Sequence, residues 1–337
     1  MTSTPVITCI MPAYNVGAYI GRAIDSLLNQ DFKDWELVVV DDCSTDNTVK
    51  IVERYVEKDD RIRLIRRTDN SGGPFLPRKD AIEAAKAEII APLDADDWID
   101  PDYLGILLGL KESSGANIVY PSMFDGNPDI SRRKRIVPVD GIEFDRVFKG
   151  ADLVKLTLDT WKIGAGGGLL DRDLYLNCMN LFENPRYMFA DEVLTRVLLH
   201  AAERVVLSTA GYNYFPNTES ITHVVNLNRF GGLYANRKIK DFIYENYPIG
   251  AEERDLIEIQ IYKELIGCVH FFALNSSAYD AEQKRIIWEM LRESYADVKW
   301  DVVKPRVGQK YYKLMRSGLK PAYLFLKTYG RLFKKQL

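Results

Sequence analysis

Carboxylates gather at two places in the first hundred residues, as Asp41-Asp42 and as Asp94-Ala95-Asp96-Asp97. Three acids in four residues repel one another unless a cation or several N–H donors compensate them, and hard divalent cations take oxygen ligands. Asp94, Asp96 and Asp97 are therefore candidates for a metal site. An aspartate after a strand also serves as a turn or cap residue, and Asp46, in what reads as a helix first turn, is favoured there by the helix dipole alone. Glycine-based phosphate sites do not fit: no G-x-G-x-x-G follows the first apolar run, Leu169 breaks that pattern after the glycines at 164–168, and no G-x-x-x-x-G-K-[ST] occurs. An EF-hand reading of the acidic run fails at Ile99, where the turn glycine belongs. A nucleotide would have to be held through a metal.

The elements that must position these acids follow from hydrophobic periodicity. Residues 6–11 read as a buried strand, 17–29 as a helix with Ile20, Ala23, Ile24, Leu27 and Leu28 on one side, and 35–40 as a second strand ending at Asp41-Asp42. Ser44 or Thr45 caps a helix running to about Val56. Residues 62–65 and 88–93 are the next strands, with 81–87 on a helix between them; Asp100-Pro101 opens a helix over 102–110, and 117–120 is a fifth strand. This alternation predicts an α/β fold, a mostly parallel sheet flanked by helices. Ligands of such open sheets sit beyond the carboxyl ends of the strands. Pro12-Ala13-Tyr14-Asn15, the 41–46 segment and the acidic run at 94–97 all fall there.

From about Gly126 the rhythm breaks. Residues 126–150 hold two prolines and the basic run 132–135, either a solvated loop or a phosphate contact. A helical pattern returns over 186–202, short strands are expected at 205–207 and 212–215, and helices follow over 251–274 and 281–295.

Composition bounds the class. The chain has 337 residues, 47% hydrophobic and 28% charged, enough to bury a full core. Its formal charge of −3 gives no whole-chain attraction to nucleic acid, but residues 299–337 carry 11 Lys and Arg against the single acid Asp301, a net of +10 that leaves −13 for residues 1–298. Four scattered cysteines, Cys9, Cys43, Cys178 and Cys268, have neither disulfide-framework nor zinc spacing and fit a reducing cytosol. The uncharged first 21 residues lack a basic start and are interrupted by Pro5, Pro12 and Asn15, and the run 265–279 is too short and polar to span a bilayer.

Four motifs, in order and spacing, carry a resemblance: V-I-T-C-I-M-P-A-Y-N at 6–15, E-L-V-V-V-D-D-C-S-T-D-N-T at 36–48, D-N-S-G-G at 69–73 and A-P-L-D-A-D-D-W-I-D-P-D-Y-L at 91–104. Together they resemble the family 2 glycosyltransferases, most specifically over residues 5–125. The resemblance implies a GT-A, Rossmann-like fold that uses a nucleotide-diphosphate sugar, UDP-linked by preference, with Mn²⁺ or Mg²⁺. By motif position Pro12, Ala13 and Tyr14 line the nucleotide pocket, Asp42 with Asp41 binds the base, Asp94 and Ala95 lie on the ribose side, and Asp96 meets the metal bridging the diphosphate. Arg78 matches a position where an arginine approaches the nucleotide, although Pro74 and Pro77 around it and Lys79-Asp80 after it depart from the usual pattern, so a surface ion pair is the other reading of Arg78.

The same resemblance implies inversion at the sugar and a carboxylate base from an acidic pair at the start of a helix in the second half. Asp191-Glu192 is that pair here, with Asp191 favoured because Glu192 and Arg196 are spaced for a helix ion pair; both acids also suit a helix N-terminus. His223 matches a position where some members hold a further metal ligand. His200 and His270 sit in apolar helical stretches and read as packing residues.

The expected organisation is a catalytic domain over 1–230, divided into a nucleotide-sugar half (1–125) and an acceptor half (126–230), then a helical extension (231–298) and a basic amphipathic tail (299–337). Tail aromatics interleaved with lysines and arginines suit an anionic membrane surface; the alternative is a helix packed on the acidic body. The expected function is transfer of a sugar to a hydroxyl of a surface polysaccharide or lipid-linked glycan, in the cytoplasm and at the inner face of the cell membrane, with no nucleic-acid partner. Two other functions stay open: a non-catalytic membrane-docked scaffold of the same fold, and a sugar nucleotidyltransferase, which would need a basic glycine-rich loop where Pro12-Ala13-Tyr14-Asn15 stands.

Overall fold

In the computed structural model of the protein, residues 4–127, 129, 132–163, 166–182, 189–216, 225–248 and 250–329 are described. They fall into two units, those within Met1–Leu156, Trp161–Arg186 and Leu194–Asn217, and those within Thr157–Thr160, Tyr187–Val193 and Thr218–Leu337.

The first unit begins with strict alternation: β1 (Ile7–Ala13), α1 (Ile20–Leu28), β2 (Trp35–Asp41), α2 (Thr48–Val56), β3 (Ile62–Arg66), α3 (Phe75–Glu83) and β4 (Ile89–Pro92). All seven residues of β2 are buried, as a strand covered on both faces must be, and α1 turns Ile20, Ala23, Ile24 and Leu27 into the core. Strands β3, β2, β1 and β4 pair in parallel in that order. One helix differs from the expectation. The helix expected over 81–87 runs instead over Phe75–Glu83, with Pro74 at its N-cap and Pro77 in its first turn, positions whose N–H has no intrahelical partner to lose.

The chain continues through β5 (Trp98–Ile99), α4 (Tyr103–Ser114), β6 (Ile118–Phe124), β7 (Arg135–Val137), β8 (Val147–Phe148), α5 (Gly150–Leu153), β9 (Leu169–Asp171), α6 (Arg172–Asn180), α7 (Ala190–Ala201) and β10 (Val205–Asn213). Here the sheet becomes mixed. Strand β9 enters antiparallel between β4 and β6, β10 runs parallel to β6, and β5, β7 and β8 add antiparallel edges. The two short strands expected near 205–215 are one, β10, with a register shift between Leu207 and Gly211. In the basic run, Arg133 is pinned: its guanidinium pairs with Asp100 at 2.6 Å and stacks 3.9 Å over the Phe124 ring.

Strand β9 explains the end of the glycine run. A Cβ on Gly167 would lie 2.6 Å from the Tyr212 ring and 2.9 Å from the Tyr103 hydroxyl; one on Gly168, whose φ is +113°, would lie 2.4 Å from the Val119 carbonyl oxygen. The Gly168 N–H donates to Tyr103 Oη at 2.7 Å. Backbone contact with β6 therefore requires glycine here. Gly168→Ala should cost about 3 kcal/mol through steric overlap and backbone strain, lowering the melting midpoint by roughly 6–12 °C. Gly109→Ala, on the exposed side of α4 with nothing within 4 Å of the added Cβ, should stabilise by about 0.5–1 kcal/mol. Thermal melts followed by circular dichroism check both.

The second unit is helical: α8 (Gly231–Asn246), α9 (Glu252–Asn275), α10 (Ala281–Asp297), α11 (Trp300–Val303), α12 (Gln309–Arg316) and α13 (Leu319–Tyr329). Asp280 and Gln283 form a reciprocal capping box that starts α10. Glu258, fully buried on α9, is compensated by Lys240 Nζ at 2.8 Å, the Tyr244 hydroxyl at 2.7 Å and the Lys299 N–H at 3.2 Å. The tail helices are packed by their aromatics: Tyr323 lies against Phe272 and Trp288, and Tyr312 against Trp300, while Met315, Ala322 and Leu326 are fully buried. Lys310, Lys313, Arg316, Lys320 and Lys327 face outward. No helix among the described residues is long and apolar enough to cross a membrane. Residues 330–337, the end of the basic tail, lie outside the described residues.

Candidate active site

The carboxyl ends of β2, β1 and β4 stand side by side. Ala13 is in register with Asp41, and Ile10 with Pro92, two residues before Asp94. The strand ends carrying Asp41 and Asp94 are thus roughly 10 Å apart, two interstrand spacings. Pro12, Ala13 and Tyr14 lie between them. Ala13 is buried and Tyr14 is half exposed, presenting a ring at this edge.

Short polar links hold the floor of the site. Asn15, in the left-handed region at φ 51°, accepts through Oδ1 from the Thr45 N–H at 2.8 Å and the Asp46 N–H at 3.3 Å. Asp46 answers by accepting from the Gly17 N–H at 3.0 Å. Burial pushes the Asp46 carboxyl up, but hydrogen bonds from the Thr48 hydroxyl and N–H and the Gly17 N–H outweigh it and hold the group below the ordinary carboxylate range. Asp46 therefore does more than favour a helix N-terminus: it latches the β1–α1 loop to the β2–α2 loop.

Asp41 and Asp42 are both buried, with different partners. Asp42 accepts from the Ser71 N–H at 3.0 Å and hydroxyl at 2.8 Å and pairs with Arg67 at 3.0 Å. Arg67 also pairs with Asp80 on α3. Asp41 Oδ2 accepts from the Ser44 N–H at 3.1 Å, while its Oδ1 is buried with no hydrogen-bond partner. A buried acceptor left unpaired costs free energy that a ligand N–H would recover. Asp42 is spent on holding the 67–73 segment; Asp41 keeps an acceptor in reserve.

The acidic turn is anchored on both sides. Asp94 pairs with Arg78 at 2.6 Å, and its N–H donates to the Tyr212 hydroxyl at 3.2 Å. Ala95 is buried. Asp97 is buried too: it accepts from the Tyr212 hydroxyl at 2.8 Å and from the Phe215 N–H at 2.8 Å. Burial first, then the negative charges of Asp94 and Asp96, push the Asp97 carboxyl well above its ordinary range, against the pull of the Phe215 and Tyr212 hydrogen bonds. Burial first, then the negative charges of Asp97 and Asp94, raise the Tyr212 phenol well above its ordinary value, so it stays protonated and donates. Asp96 is partly exposed, and its carbonyl oxygen accepts from Arg22 at 2.5 Å.

Among the described residues no three His, Cys, Asp or Glu side chains are grouped to hold a metal ion. Asp97 is turned inward, which leaves Asp96 and Asp94 as the carboxylates on the open side. Carboxylate oxygens under mutual repulsion suit a hard divalent cation whose remaining ligands come from a diphosphate. Asp191 and Glu192 occupy the first turn of α7, Asp191 exposed and Glu192 partly buried, and the Glu192 N–H donates to the Phe189 carbonyl at 3.1 Å. They belong to the second unit. His223, Gly164 and Ala165 lie outside the described residues.

Arg22, Arg67, Ser71, Tyr212 and Phe215 complete the site and were not singled out as functional by motif. Ser71 alone had a signal, inside D-N-S-G-G; the others reach the acids from elements distant in sequence.

Residues 8–173 match the model of glycosyl transferase family 2. They belong to that family. Over 139 residues, 37% of this chain and 22% of the relative's length, the protein is 38% identical to a poly(ribitol-phosphate) beta-glucosyltransferase of Bacillus spizizenii; the match thus spans about a fifth of that relative. The fold matches a solved structure of S. aureus TarS 1–349 in complex with UDP-GlcNAc, with a TM-score of 0.68 at 20% identity, covering 98% of this chain and 93% of that one. It also matches, with a TM-score of 0.53 at 16% identity over 99% of this chain and 89% of the other, the mannosyltransferase PcManGT of Pyrobaculum calidifontis in complex with GDP-Man and Mn²⁺. The α/β architecture is the GT-A fold.

Proposed function

We propose that the protein is an inverting, metal-dependent glycosyltransferase that moves a sugar from a nucleotide-diphosphate sugar, UDP-linked by preference, to a hydroxyl of a surface polysaccharide or lipid-linked glycan. The observation that carries this reading is the pairing, on one sheet edge, of a buried unpaired acceptor at Asp41 with the acidic turn about two strand spacings away. That span separates a base from the diphosphate of one nucleotide. The family match, and relatives that act on poly(ribitol-phosphate) or bind UDP-GlcNAc or GDP-Man with Mn²⁺, support the same reading.

In this reading Asp41 Oδ1 accepts from the base, Pro12, Ala13 and Tyr14 pack against it, and Asp42 keeps the 67–73 wall in place. Asp94, oriented by Arg78, lies on the ribose side with Ala95. Asp96 would hold a Mg²⁺ or Mn²⁺ with the donor diphosphate, and the ion's chemistry there is stabilisation of charge on the departing diphosphate. Asp191, with Glu192 beside it, takes the proton of the acceptor hydroxyl as that oxygen displaces the diphosphate from the anomeric carbon, and a single displacement inverts that carbon. His223 is a further ligand candidate by motif position. The outward lysines and arginines of α12 and α13 would face an anionic membrane surface bearing a lipid-linked acceptor.

Thermal melts with UDP and with GDP, each with and without Mn²⁺, test the reading. A ligand at about a hundredfold excess over its Kd stabilises by about 2.7 kcal/mol, so one nucleotide with Mn²⁺ should raise the midpoint well beyond either alone. No shift with either nucleotide would instead favour the non-catalytic scaffold.

A further inference from the structure

The Asp94–Asp97 turn is fixed at both ends by Tyr212, whose hydroxyl accepts from the Asp94 N–H and donates to the Asp97 carboxylate. Its middle is fixed from α1. The Arg22 guanidinium lies over two rings, 4.1 Å from the centre of Trp98 and 4.4 Å from that of Phe215, and its Nη2 donates to the Asp96 carbonyl oxygen at 2.5 Å. Each neighbour is tied to the turn. Trp98 directly follows Asp97, and the Phe215 N–H holds the Asp97 carboxylate at 2.8 Å. Tyr19, one turn earlier, backs Phe215 with ring centres 5.3 Å apart, while Ile20, Ala23 and Ile24 anchor the helix in the core. A guanidinium held against two rings loses little further freedom on donating a charge-assisted hydrogen bond.

We infer that Arg22 is a positioning residue for the metal–diphosphate site: by fixing the Asp96 carbonyl it sets the plane of the peptide that follows Asp96 and so the direction in which the Asp96 carboxylate leaves the turn. The contact uses the main-chain oxygen and does not itself occupy the carboxylate. The inference rests on the proposed role of Asp96. Coulomb attraction alone predicts the opposite outcome, because deleting a cation beside Asp96 and Asp97 should tighten binding of a divalent ion.

The test is calorimetric titration of UDP into the full-length protein, with and without Mn²⁺, for wild type, Arg22→Met and Arg22→Lys, with thermal melts to establish that each variant is folded. Methionine keeps apolar contact with both rings and removes the donor. Partners that orient a metal ligand typically contribute about 10–100-fold to metal affinity. Arg22→Met should therefore cut the Mn²⁺-dependent gain in UDP affinity by at least about tenfold, leave metal-free UDP affinity within about twofold, and Arg22→Lys should recover part of the gain. An unchanged or larger Mn²⁺ gain in Arg22→Met overturns the inference, as does an equal fall with and without Mn²⁺, which would mark a merely structural role. A wild type with no Mn²⁺ gain overturns the metal role of Asp96 and this inference with it; a gain in wild type that Arg22→Met retains overturns this inference alone.

Discussion

Asp96→Ala should lower kcat/KM for the donor by roughly 10²–10³-fold, the scale lost when a preorganised group facing developing charge is removed, while the melting midpoint of the apo protein changes little. Asp96 is partly exposed and contributes negative charge that, after burial and Asp94, helps push the Asp97 carboxyl up. Deleting it relieves that repulsion but also removes its attraction for the Arg22 guanidinium, so the two effects oppose each other in the free protein, while the carboxylate proposed to hold the ion is lost. Nucleotide turnover assays and melts, with and without Mn²⁺, read both outcomes. Loss of activity accompanied by a large fall in apo stability would mean that Asp96 is a structural residue of the turn.

Asp191→Asn should lower kcat by about 10²–10⁴-fold, the usual contribution of a positioned general base, with little change in nucleotide affinity. The amide keeps the shape of the carboxylate and its place in the first turn of α7 but cannot take a proton. Glu192→Gln, in the same turn, should cost far less. Steady-state kinetics for both variants, with a calorimetric check of UDP binding, separates the pair. A small effect at Asp191 with a large one at Glu192 would exchange their roles; small effects at both would remove the acidic pair from the mechanism.

The first half of the fold was legible because its signals are local. Buried β-branched runs and a helical period each announce themselves over a few residues, and β1, α1, β2, β3 and β4 follow them. The start of α3 was not legible from the apolar pattern at 81–87, because the turn that precedes it is opened by Pro74 and Pro77, which sit where a helix needs no N–H. Strand β9 is three residues long and owes its place to Gly167 and Gly168 pressing on Tyr212 and Val119, a through-space requirement with no periodicity. The acids themselves were legible as a cluster, but their division of labour was not. Only the fold shows that Asp42 is consumed by Ser71 and Arg67, that Asp41 retains an unpaired oxygen, and that Asp97 faces inward to Tyr212. In the tail, Tyr312 and Tyr323 pack on helices of their own unit, while Leu324 and Tyr329 are exposed and the basic residues face outward. Composition alone offers no way to separate those two uses of the same amphipathic pattern.

The most direct measurement is a panel of UDP- and GDP-linked sugars with Mn²⁺ or Mg²⁺, following release of free nucleotide by wild type and by Asp96→Ala. Slow, metal-dependent release from one donor by wild type, lost in Asp96→Ala, is the predicted result and would identify the donor together with the reaction class. Nucleotide release that persists undiminished in Asp96→Ala, or no release and no metal-linked nucleotide binding across the panel, would contradict the account.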